Sequence, residues 1–407
     1  MAAIFDLRLR LAVPEEGCRE KDACRHQTGF HASGRRISMN DIATVIDLAQ
    51  FRRQVETETT MAMCPTAIAI EKNIPIYDGA SVNDEIGPEW ASIIGEGPGV
   101  FVVKRAFTDP GAIDAASEVF RQIIADERAA GTAAGDHFAK AGANDRIWNS
   151  LQKLCLRDPA VYARYMANPV IDIACRAWLG PGYQIATQVN QVRPGGKAQA
   201  PHRDYHLGFM KPEQMAEYPS HIHATGPTLI LQGGVAHCDM PVESGTTKLL
   251  PHSQRYLPGY VAATRPEFRD YFEENYVQLA LEKGDAIFFS PALFHAAGEN
   301  RTADVVRMVN LIQTASAFAR HMENLDRTAM ARAVYPHLAA LSPQGRRAVI
   351  AATADGYPFP TNLDTDPPLG GLAPESQQEL LARAVAEGWD QAKLDAALSA
   401  QGAKRAA

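Results

Sequence analysis

The chain has 407 residues, of which 46% are hydrophobic, so it is long enough for one large domain with additions or for two domains. Its 40 basic and 47 acidic residues give a net charge of −7, which argues against nucleic acid as the main partner. The six cysteines have no framework spacing, no apolar run reaches membrane-spanning length, and the N-terminus lacks a long hydrophobic segment. We therefore expect a reduced, cytoplasmic protein that does not enter a membrane.

The first part of the chain, about residues 1 to 60, has no clean periodicity, and we expect residues 1 to 38 to be poorly ordered. An amphipathic helical pattern ends at about Val55. The stretch from Ile94 to Lys104 is a turn followed by a β-rich run, which predicts the first strand of the main domain. After it, Thr108-Asp109-Pro110 predicts the start of a helix.

The middle of the chain predicts helices that lead into a strand. Residues 131 to 145 are rich in Gly and Ala and form either a mobile lid or a solvated connection, and a helical pattern resumes at Arg146. Two helices and a strand follow at about residues 159–168, 169–179 and 183–192. Gln188 and Asn190 share one face of this strand, and that face is turned either to a pocket or to solvent.

The second half predicts more strands and then helices. Apolar strands are expected at about residues 228–238, 277–281 and 286–290, and the turn Lys283-Gly284-Asp285 predicts that the last two form a hairpin. The run from Asp304 to Ile312 predicts a buried strand that contains a single cation, Arg307. From about Ser316 the pattern turns helical, and residues 374 to 399 predict one final amphipathic helix.

The motif that carries the chemistry is His202-Arg203-Asp204. Strand side chains alternate, so His202 and Asp204 point to the same side, after a predicted strand and a Pro-Gly-Gly turn. A further histidine, His295, follows another apolar strand, 91 residues after Asp204. Two histidines and one carboxylate that leave other metal positions open are the ligand set of non-haem Fe(II) oxygenases. We nominate His202, Asp204 and His295 as iron ligands.

Arg307 follows His295 by 12 residues, inside the predicted buried strand. A buried guanidinium is unfavourable unless it meets an anion. The distal carboxylate of 2-oxoglutarate is a suitable anion, because the planar guanidinium binds a carboxylate through two parallel hydrogen bonds. A structural salt bridge is the alternative for a lone buried arginine.

These residues resemble the phytanoyl-CoA dioxygenase family of Fe(II)/2-oxoglutarate oxygenases over about residues 97 to 318. The matching segments are Trp178 to Tyr183, Arg193 to Gly196, Gln199 to Asp204, Asp239 to Ser253 and Phe288 to His295. The resemblance implies a double-stranded β-helix, iron held by the three nominated ligands, and Arg307 as the anchor of 2-oxoglutarate. Gln199 matches a position that the family often fills with Gln just before the iron motif.

Two departures from the family pattern leave alternatives open. The family often has a hydroxyl residue where this chain has Ala297, and its anchoring arginine usually stands one position earlier, which leaves Arg301 as a rival to Arg307. Arg301 lies in a polar turn, so we interpret it as exposed. His206 is in phase with the iron motif, but as a ligand it would leave His295 without a role, so we expect His206 to support the ligands or contact substrate.

We therefore predict an α+β chain with a double-stranded β-helix, a jelly-roll or cupin-like barrel, braced by helices and followed by a helical C-terminal appendage. The predicted divisions are an N-terminal extension that is partly disordered, an oxygenase domain, and a helical C-terminal extension, at residues 1–60, 61–318 and 319–407. Oligomeric state and substrate identity are not specified by the sequence.

The predicted activity is Fe(II)- and 2-oxoglutarate-dependent hydroxylation of an unactivated C–H of a small-molecule substrate, with consumption of O2 and release of succinate and CO2. Arg307, Gln188, Asn190 and Gln199 are the candidates for binding 2-oxoglutarate. The main alternative is a cupin-like metalloenzyme, an isomerase or hydrolase, which uses the same ligands without 2-oxoglutarate and gives Arg307 no role. A catalytically silent binding barrel is a third hypothesis.

Overall fold

The computed structural model describes residues 42–132, 144–359 and 362–406, so the predictions for residues 1 to 38 and for most of the Gly- and Ala-rich stretch lie outside the described residues. Within those ranges the chain forms one eight-stranded mixed sheet, one two-stranded sheet and surrounding helices, which is an α+β fold. The strands are β1 (Ala69–Glu71), β2 (Ile74–Asp78), β3 (Val100–Lys104), β4 (Asn144–Ile147), β5 (Gln184–Val192), β6 (Ile230–Ala236), β7 (Lys248–Leu250), β8 (Ala286–Phe289), β9 (Phe294–Ala296) and β10 (Arg307–Ala315).

Several helices begin at a proline preceded by an Asp or Asn cap, which the sequence indicated for α3. In α3, α5 and α6 the capping side chain accepts a hydrogen bond from a backbone N–H of the first turn. No helix in the described ranges combines the length and the hydropathy that crossing a bilayer requires. The helices are α1 (Leu48–Val55), α2 (Gly87–Gly95), α3 (Pro110–Ala129), α4 (Ser150–Arg157), α5 (Pro159–Met166), α6 (Pro169–Leu179), α7 (Pro212–Glu217), α8 (Ser220–Thr228), α9 (Gly259–Ala262), α10 (Pro266–Asn275), α11 (Arg327–Leu338), α12 (Pro343–Thr353), α13 (Gln377–Ala386) and α14 (Gln391–Arg405).

The large sheet has the strand order β1-β2-β3-β8-β6-β10-β5-β4. Every neighbouring pair is antiparallel except β2 and β3, which are parallel. The long strand β10 lies between β5 and β6 and pairs with both along most of its length. Because it has neighbours on both sides, most of its residues are buried, including Arg307 at its start.

The two faces of the large sheet pack against different partners. One face joins the helices in the main hydrophobic core, which includes residues from α13 and α14 near the C-terminus. The other face, which we call the inner face, packs with the small sheet in a second cluster that contains Ile76, Val102, Ile287 and, from β7, Leu249. The part of the inner face formed by β2, β3 and β8 is therefore an apolar surface that packs against the small sheet.

Three sequence predictions about elements are wrong in detail. Residues 277–281 do not form a hairpin with β8, because Val277 bridges to Leu249 and Leu281 to Met240, while β8 pairs with β3 and β6. Arg146 lies in β4 rather than in a helix, because that strand completes the sheet edge beside β5. The final helix is two helices, α13 and α14, since Gly388 adopts a positive φ of 62° between them.

The sheet also begins earlier than the sequence predicted. The strands β1 and β2 form a hairpin ahead of β3. Its two turn residues, Lys72 and Asn73, have φ angles of 51° and 68°. Two-residue hairpin turns of this kind usually contain Asn-Gly or Asp-Gly, and this turn contains Lys-Asn instead. The hairpin therefore has no recognisable turn signal in the sequence.

Candidate active site

The iron motif lies on an extended segment that pairs with β9. His202 and His295 exchange backbone hydrogen bonds, with N···O distances of 3.0 Å and 3.2 Å. Asp204 continues the pairing, because its N–H donates to the carbonyl of Pro291 at 3.0 Å. Since β9 also pairs with β7, the small sheet holds one candidate ligand on β9 and two more on the segment that bridges to it. This pairing brings together His202 and His295, which are 93 residues apart in the sequence.

The three side chains converge as the sequence predicted. Ligand atoms of His202, Asp204 and His295 all lie within 4.8 Å of one another. The Nε2 atom of His202 is 3.6 Å from one carboxylate oxygen of Asp204, and the Nε2 atom of His295 is 3.5 Å from the other. The exposed fraction is 33% for the His202 side chain and 7% for that of His295, so the group opens to solvent on the His202 side.

Backbone carbonyls determine which imidazole nitrogen faces the centre. The Nδ1 atom of His202 lies 2.8 Å from the carbonyl of Ala200, and that of His295 lies 2.8 Å from the carbonyl of Leu293. A carbonyl can only accept a hydrogen bond, so Nδ1 carries the proton in both rings. Both Nε2 atoms then present a lone pair towards Asp204, which is the arrangement that a divalent metal requires.

Asp204 is held at its side chain and at its backbone. Gln232 of β6 donates a side-chain hydrogen bond to Oδ2 of Asp204, and the hydroxyl of Tyr260 donates to its carbonyl at 3.1 Å. Burial raises the pKa of Asp204, but the neighbouring His295 and His202 and the bond from Gln232 outweigh burial and hold the pKa below its ordinary value. The group is therefore an oriented carboxylate, with Oδ1 free of the bond from Gln232.

Strand β10 turns the side chain of Arg307 to the same inner face. Side chains alternate along a strand, so Arg307 and Gln313 share one face. Gln313 accepts a hydrogen bond from Gln232 at 3.2 Å, and Gln232 also donates to Asp204, so this face is the one that contacts the triad. Arg307 therefore lies on the inner face of the large sheet, the face on which an anchor for a metal-bound co-substrate is expected.

The guanidinium of Arg307 is buried without an acidic partner. Its residue is 5% exposed, and its Nε atom has no hydrogen-bond partner. Within the described ranges no ion pair involves this side chain. Burial lowers the pKa of Arg307 to about 10, which reflects the unfavourable desolvation of a cation that no anion compensates. Such a group is a ready site for a carboxylate ligand.

Residues 96–309, more than half of the chain, match the family model described as phytanoyl-CoA dioxygenase (PhyH). The chain belongs to the phytanoyl-CoA dioxygenase family. The matched range contains all three converging side chains and Arg307, and it ends within β10. The family resemblance that the sequence indicated is therefore confirmed.

Curated relatives of this phytanoyl-CoA dioxygenase family member are fungal dioxygenases. Dioxygenase trt7 of Aspergillus terreus is 31% identical over 140 residues, which are 34% of this chain and 43% of that protein. Dioxygenase cdmD of Talaromyces verruculosus is 30% identical over 128 residues, which are 31% of this chain and 38% of that protein. The multifunctional dioxygenase ausE of Emericella nidulans is 26% identical over 167 residues, which are 39% and 52% of the two chains. This chain thus spans about half the length of these relatives or less.

Solved structures with some similarity include the non-haem α-ketoglutarate-dependent epimerase SnoN from nogalamycin biosynthesis. One SnoN structure covers 58% of this chain and 84% of that chain at 18% identity, with a TM-score of 0.39. Another, in complex with Fe3+, α-ketoglutarate and nogalamycin RO, covers 59% and 88% at 19% identity, with a TM-score of 0.40. Scores below 0.5 do not establish a common fold, so the family assignment rests on the sequence match.

The other candidates for co-substrate contact lie in two places. Gln188 and Asn190 of β5 stand opposite Leu311 and Val309 of β10, so they share the inner face with Arg307. Asn190 has a buried amide oxygen without a partner, whereas Gln188 accepts a hydrogen bond from Arg146 at 3.2 Å. Gln199 is beside β9, where its amide oxygen accepts from the N–H of Ala297 at 3.2 Å.

The two rivals, His206 and Arg301, are both exposed. His206 does not continue the alternation of the iron motif, because Tyr205 has a φ of 40° and His206 starts a short 3-10 turn. His206 is exposed and is not among the converging metal-ligand candidates of the described residues. Arg301 is exposed, as the sequence predicted. The alternation that placed His206 on the same side as His202 and Asp204 therefore ends at Tyr205, where the backbone turns.

The sequence reasoning missed Gln232, whose side chain links Asp204 to Gln313. The available signal was a lone amide in an otherwise apolar and small run, Ile230-Leu231-Gln232-Gly233-Gly234. A buried amide needs hydrogen-bond partners, so a polar residue in such a strand indicates a neighbouring polar site. Which site it meets depends on the pairing of β6 with β10, and that pairing is long-range.

Proposed function

We propose that this chain is an Fe(II)/2-oxoglutarate-dependent dioxygenase that hydroxylates an unactivated C–H of a small-molecule substrate. The observation that carries the proposal is the buried Arg307 guanidinium, without an acidic partner in the described part of the chain, on the sheet face that contacts the triad. The buried arginines Arg203 and Arg327 donate to backbone carbonyls, whereas no such bond from the Arg307 side chain is present among the described residues, so an anionic co-substrate gives this cation the partner it lacks. Membership of the phytanoyl-CoA dioxygenase family supports the same conclusion.

The donor set fits iron. In the proposal, His202 and His295 bind the metal through Nε2, because their Nδ1–H groups are committed to backbone carbonyls. Asp204 binds through the carboxylate oxygen that Gln232 leaves free. Three protein ligands leave the remaining metal positions to small molecules, which suits a chelating co-substrate and O2.

The chain positions the co-substrate and keeps the site dry. Arg307 binds the distal carboxylate of 2-oxoglutarate, and we assign Gln188, Asn190 and Gln199 as further polar contacts in its pocket. The apolar inner cluster excludes water, which strengthens the ion pair with Arg307. When iron, 2-oxoglutarate and O2 are bound, oxidative decarboxylation to succinate and CO2 supplies the oxidant for the C–H bond. The ring of Phe289 packs edge-on against His295 at 5.0 Å and limits its movement.

We propose further that the two sheets are the walls of a double-stranded β-helix. The small sheet is wider than β7 and β9 alone, because His202 bridges to His295 on one side and Val277 bridges to Leu249 on the other. Opposed to the large sheet across a common apolar cluster, this arrangement supports a jelly-roll barrel. The divisions at residues 1–60, 61–318 and 319–407 are part of the proposal.

The substrate proposed is a small molecule with apolar surface. An apolar cavity of about 190 Å³ lies beside the triad segment, and Tyr205, Leu207, Ile222 and Leu229 are among the residues that line it. Tyr205 directly follows Asp204, and Tyr260, which donates to the carbonyl of Asp204, also lines the cavity, so the cavity adjoins the backbone that carries this candidate ligand. A cavity of this lining binds hydrocarbon surface better than charge.

The proposal is tested by turnover of carboxyl-labelled 2-oxoglutarate. Iron-loaded protein should release labelled CO2 and form succinate, a candidate substrate should raise that rate, and labelled O2 should place one oxygen atom in the product. Asp204→Ala is the matched inactive control, because it removes one ligand and leaves Arg307 in place. If wild-type protein binds iron yet releases no more CO2 than Asp204→Ala, the oxygenase proposal is wrong and the cupin-like alternative takes its place.

A further inference from the structure

Arg203, the middle residue of the iron motif, is a second buried arginine near the metal site. It is 3% exposed, and its side chain points to the opposite side of the segment from His202 and Asp204. Within the described ranges no carboxylate forms an ion pair with it. Burial lowers the pKa of Arg203 to about 10. A cation in such a place is unfavourable, so its contacts have to explain its presence.

The guanidinium of Arg203 contacts three elements around the triad. It donates a hydrogen bond to the carbonyl of Ser253 and lies over the rings of Phe294 and Tyr260, 5.0 Å and 5.3 Å from their centroids. The fit is close, since a Cβ added at Gly259 would overlap the guanidinium. Phe294 precedes His295, so this side chain joins both ligand-bearing strands.

The backbone beside Arg203 is strained. Tyr205, directly after the candidate ligand Asp204, has a φ of 40°, which a bulky residue rarely adopts. A Cβ at Gly208 would overlap the carbonyl oxygen of Arg203, so the turn is also tightly closed. Strain of this kind persists only where surrounding contacts hold it. Arg203 fixes the chain before Asp204 through the contacts of its guanidinium, and the hydroxyl of Tyr260 donates a hydrogen bond to the carbonyl of Asp204.

We propose that Arg203 is a positioning residue for the metal site: its stacked and hydrogen-bonded guanidinium holds the strained turn so that Asp204 and the two histidines are arranged before metal binds. The inference rests on the proposed function only in that these three residues bind Fe(II). It needs no co-substrate. Without this anchor the turn relaxes, and metal binding then has to restore the ligand geometry, which weakens the affinity.

The test is an anaerobic titration of the full chain, freed of metal, with Fe(II) alone. The variants are Arg203→Met and, as matched control, Arg327→Met. Arg327 is equally buried and donates to the carbonyls of Ala352, Thr353 and Ile185, away from the triad. Thermal unfolding is measured for each. We expect Arg203→Met to weaken Fe(II) binding by about 10- to 100-fold, and Arg327→Met to lower the melting temperature while its Fe(II) affinity stays within about twofold of wild type.

Equal Fe(II) affinities in Arg203→Met and wild type overturn the inference, and so does a loss in Arg327→Met as large as that in Arg203→Met. If Arg203→Met does not fold, Arg203→Lys replaces it, because lysine keeps the charge without the planar fork. The inference then requires a dissociation constant at least about threefold above wild type, and an unchanged constant overturns it. A wild type that binds Fe(II) but not 2-oxoglutarate contradicts the proposed co-substrate and leaves the Arg203 comparison intact.

Discussion

Replacing Arg307 with methionine should weaken 2-oxoglutarate binding without weakening the fold. A two-toothed, charge-assisted pair with a carboxylate contributes about 3 kcal/mol, so the dissociation constant for 2-oxoglutarate should rise about 100-fold. Apo protein should respond in the opposite way. Lowering the pKa of Arg307 to about 10 corresponds to roughly 3 kcal/mol of unfavourable desolvation. The substitution Arg307→Met removes that charge, so the apo variant should unfold at the wild-type temperature or above it.

Calorimetric unfolding of Fe(II)-loaded protein measures both effects under anaerobic conditions. At 2-oxoglutarate 100 times above its dissociation constant, wild type should gain about 2.7 kcal/mol of stability. A variant with a 100-fold higher constant should gain only about 0.4 kcal/mol at the same concentration. Arg301→Met is the matched control, because Arg301 is the exposed rival, and it should behave as wild type. A destabilised apo Arg307→Met that still responds fully to 2-oxoglutarate would refute the reasoning and make Arg307 a structural residue.

Three further predictions concern buried polar groups. Gln232→Leu should weaken Fe(II) binding about tenfold in an anaerobic titration, because the carboxylate of Asp204 loses the amide that orients it. His237→Gln should remove part of the acid sensitivity of folding, because burial lowers the pKa of His237 from 6.5 to about 3. Between these two pH values the unfolded chain binds a proton at this histidine and the folded chain does not, so stability falls as the pH falls. Between pH 6.5 and pH 5 wild type should therefore lose about 2 kcal/mol in its free energy of unfolding, measured with denaturant. Asp172→Asn should lower the free energy of unfolding by about 3–5 kcal/mol in urea, because two arginines and the hydroxyl of Tyr183 lose a fully buried carboxylate.

Each of these has a result that would count against it. Wild-type iron affinity in Gln232→Leu would mean that the backbone alone fixes Asp204. The ring nitrogens of His237 lie 2.8 Å from the hydroxyls of Ser117 and Tyr165. If His237→Gln loses as much stability as wild type between pH 6.5 and pH 5, His237 is not a source of the acid sensitivity. A change below about 1 kcal/mol in Asp172→Asn would show that the network tolerates a neutral amide.

Local chemistry made much of this molecule predictable. The helices α3, α5 and α6 begin where an Asp or Asn cap precedes a proline, and both signals are local. The proximity of His202, Asp204 and His295 followed from strand alternation and from residue types that serve a metal together. The burial of Arg307 followed from the apolar strand around it.

What could not be predicted depends on contacts between distant segments. In the segment 277–281, Val277 bridges to Leu249 of β7 and Leu281 bridges to Met240, instead of pairing with the sequence neighbour β8, and the packing of the two sheets decides this pairing. His206 does not point to the same side as His202 and Asp204, because Tyr205 adopts a positive φ. Glycine and asparagine are the residues that usually indicate such a turn, and neither is present at this position. The contacts that Gln232 makes with Asp204 and that Arg203 makes with Phe294 depend on where β6 and β9 lie, which is set by long-range pairing.

The measurement that tests the central claim most directly is an anaerobic titration of the metal-free chain with Fe(II) and then 2-oxoglutarate. We expect a weak visible charge-transfer band when the co-substrate chelates the metal in wild type. The band should be absent in Asp204→Ala, and it should need about 100-fold more 2-oxoglutarate in Arg307→Met. No band at any concentration in wild type, with Fe(II) shown to be bound, would contradict the claim that this site is built for 2-oxoglutarate.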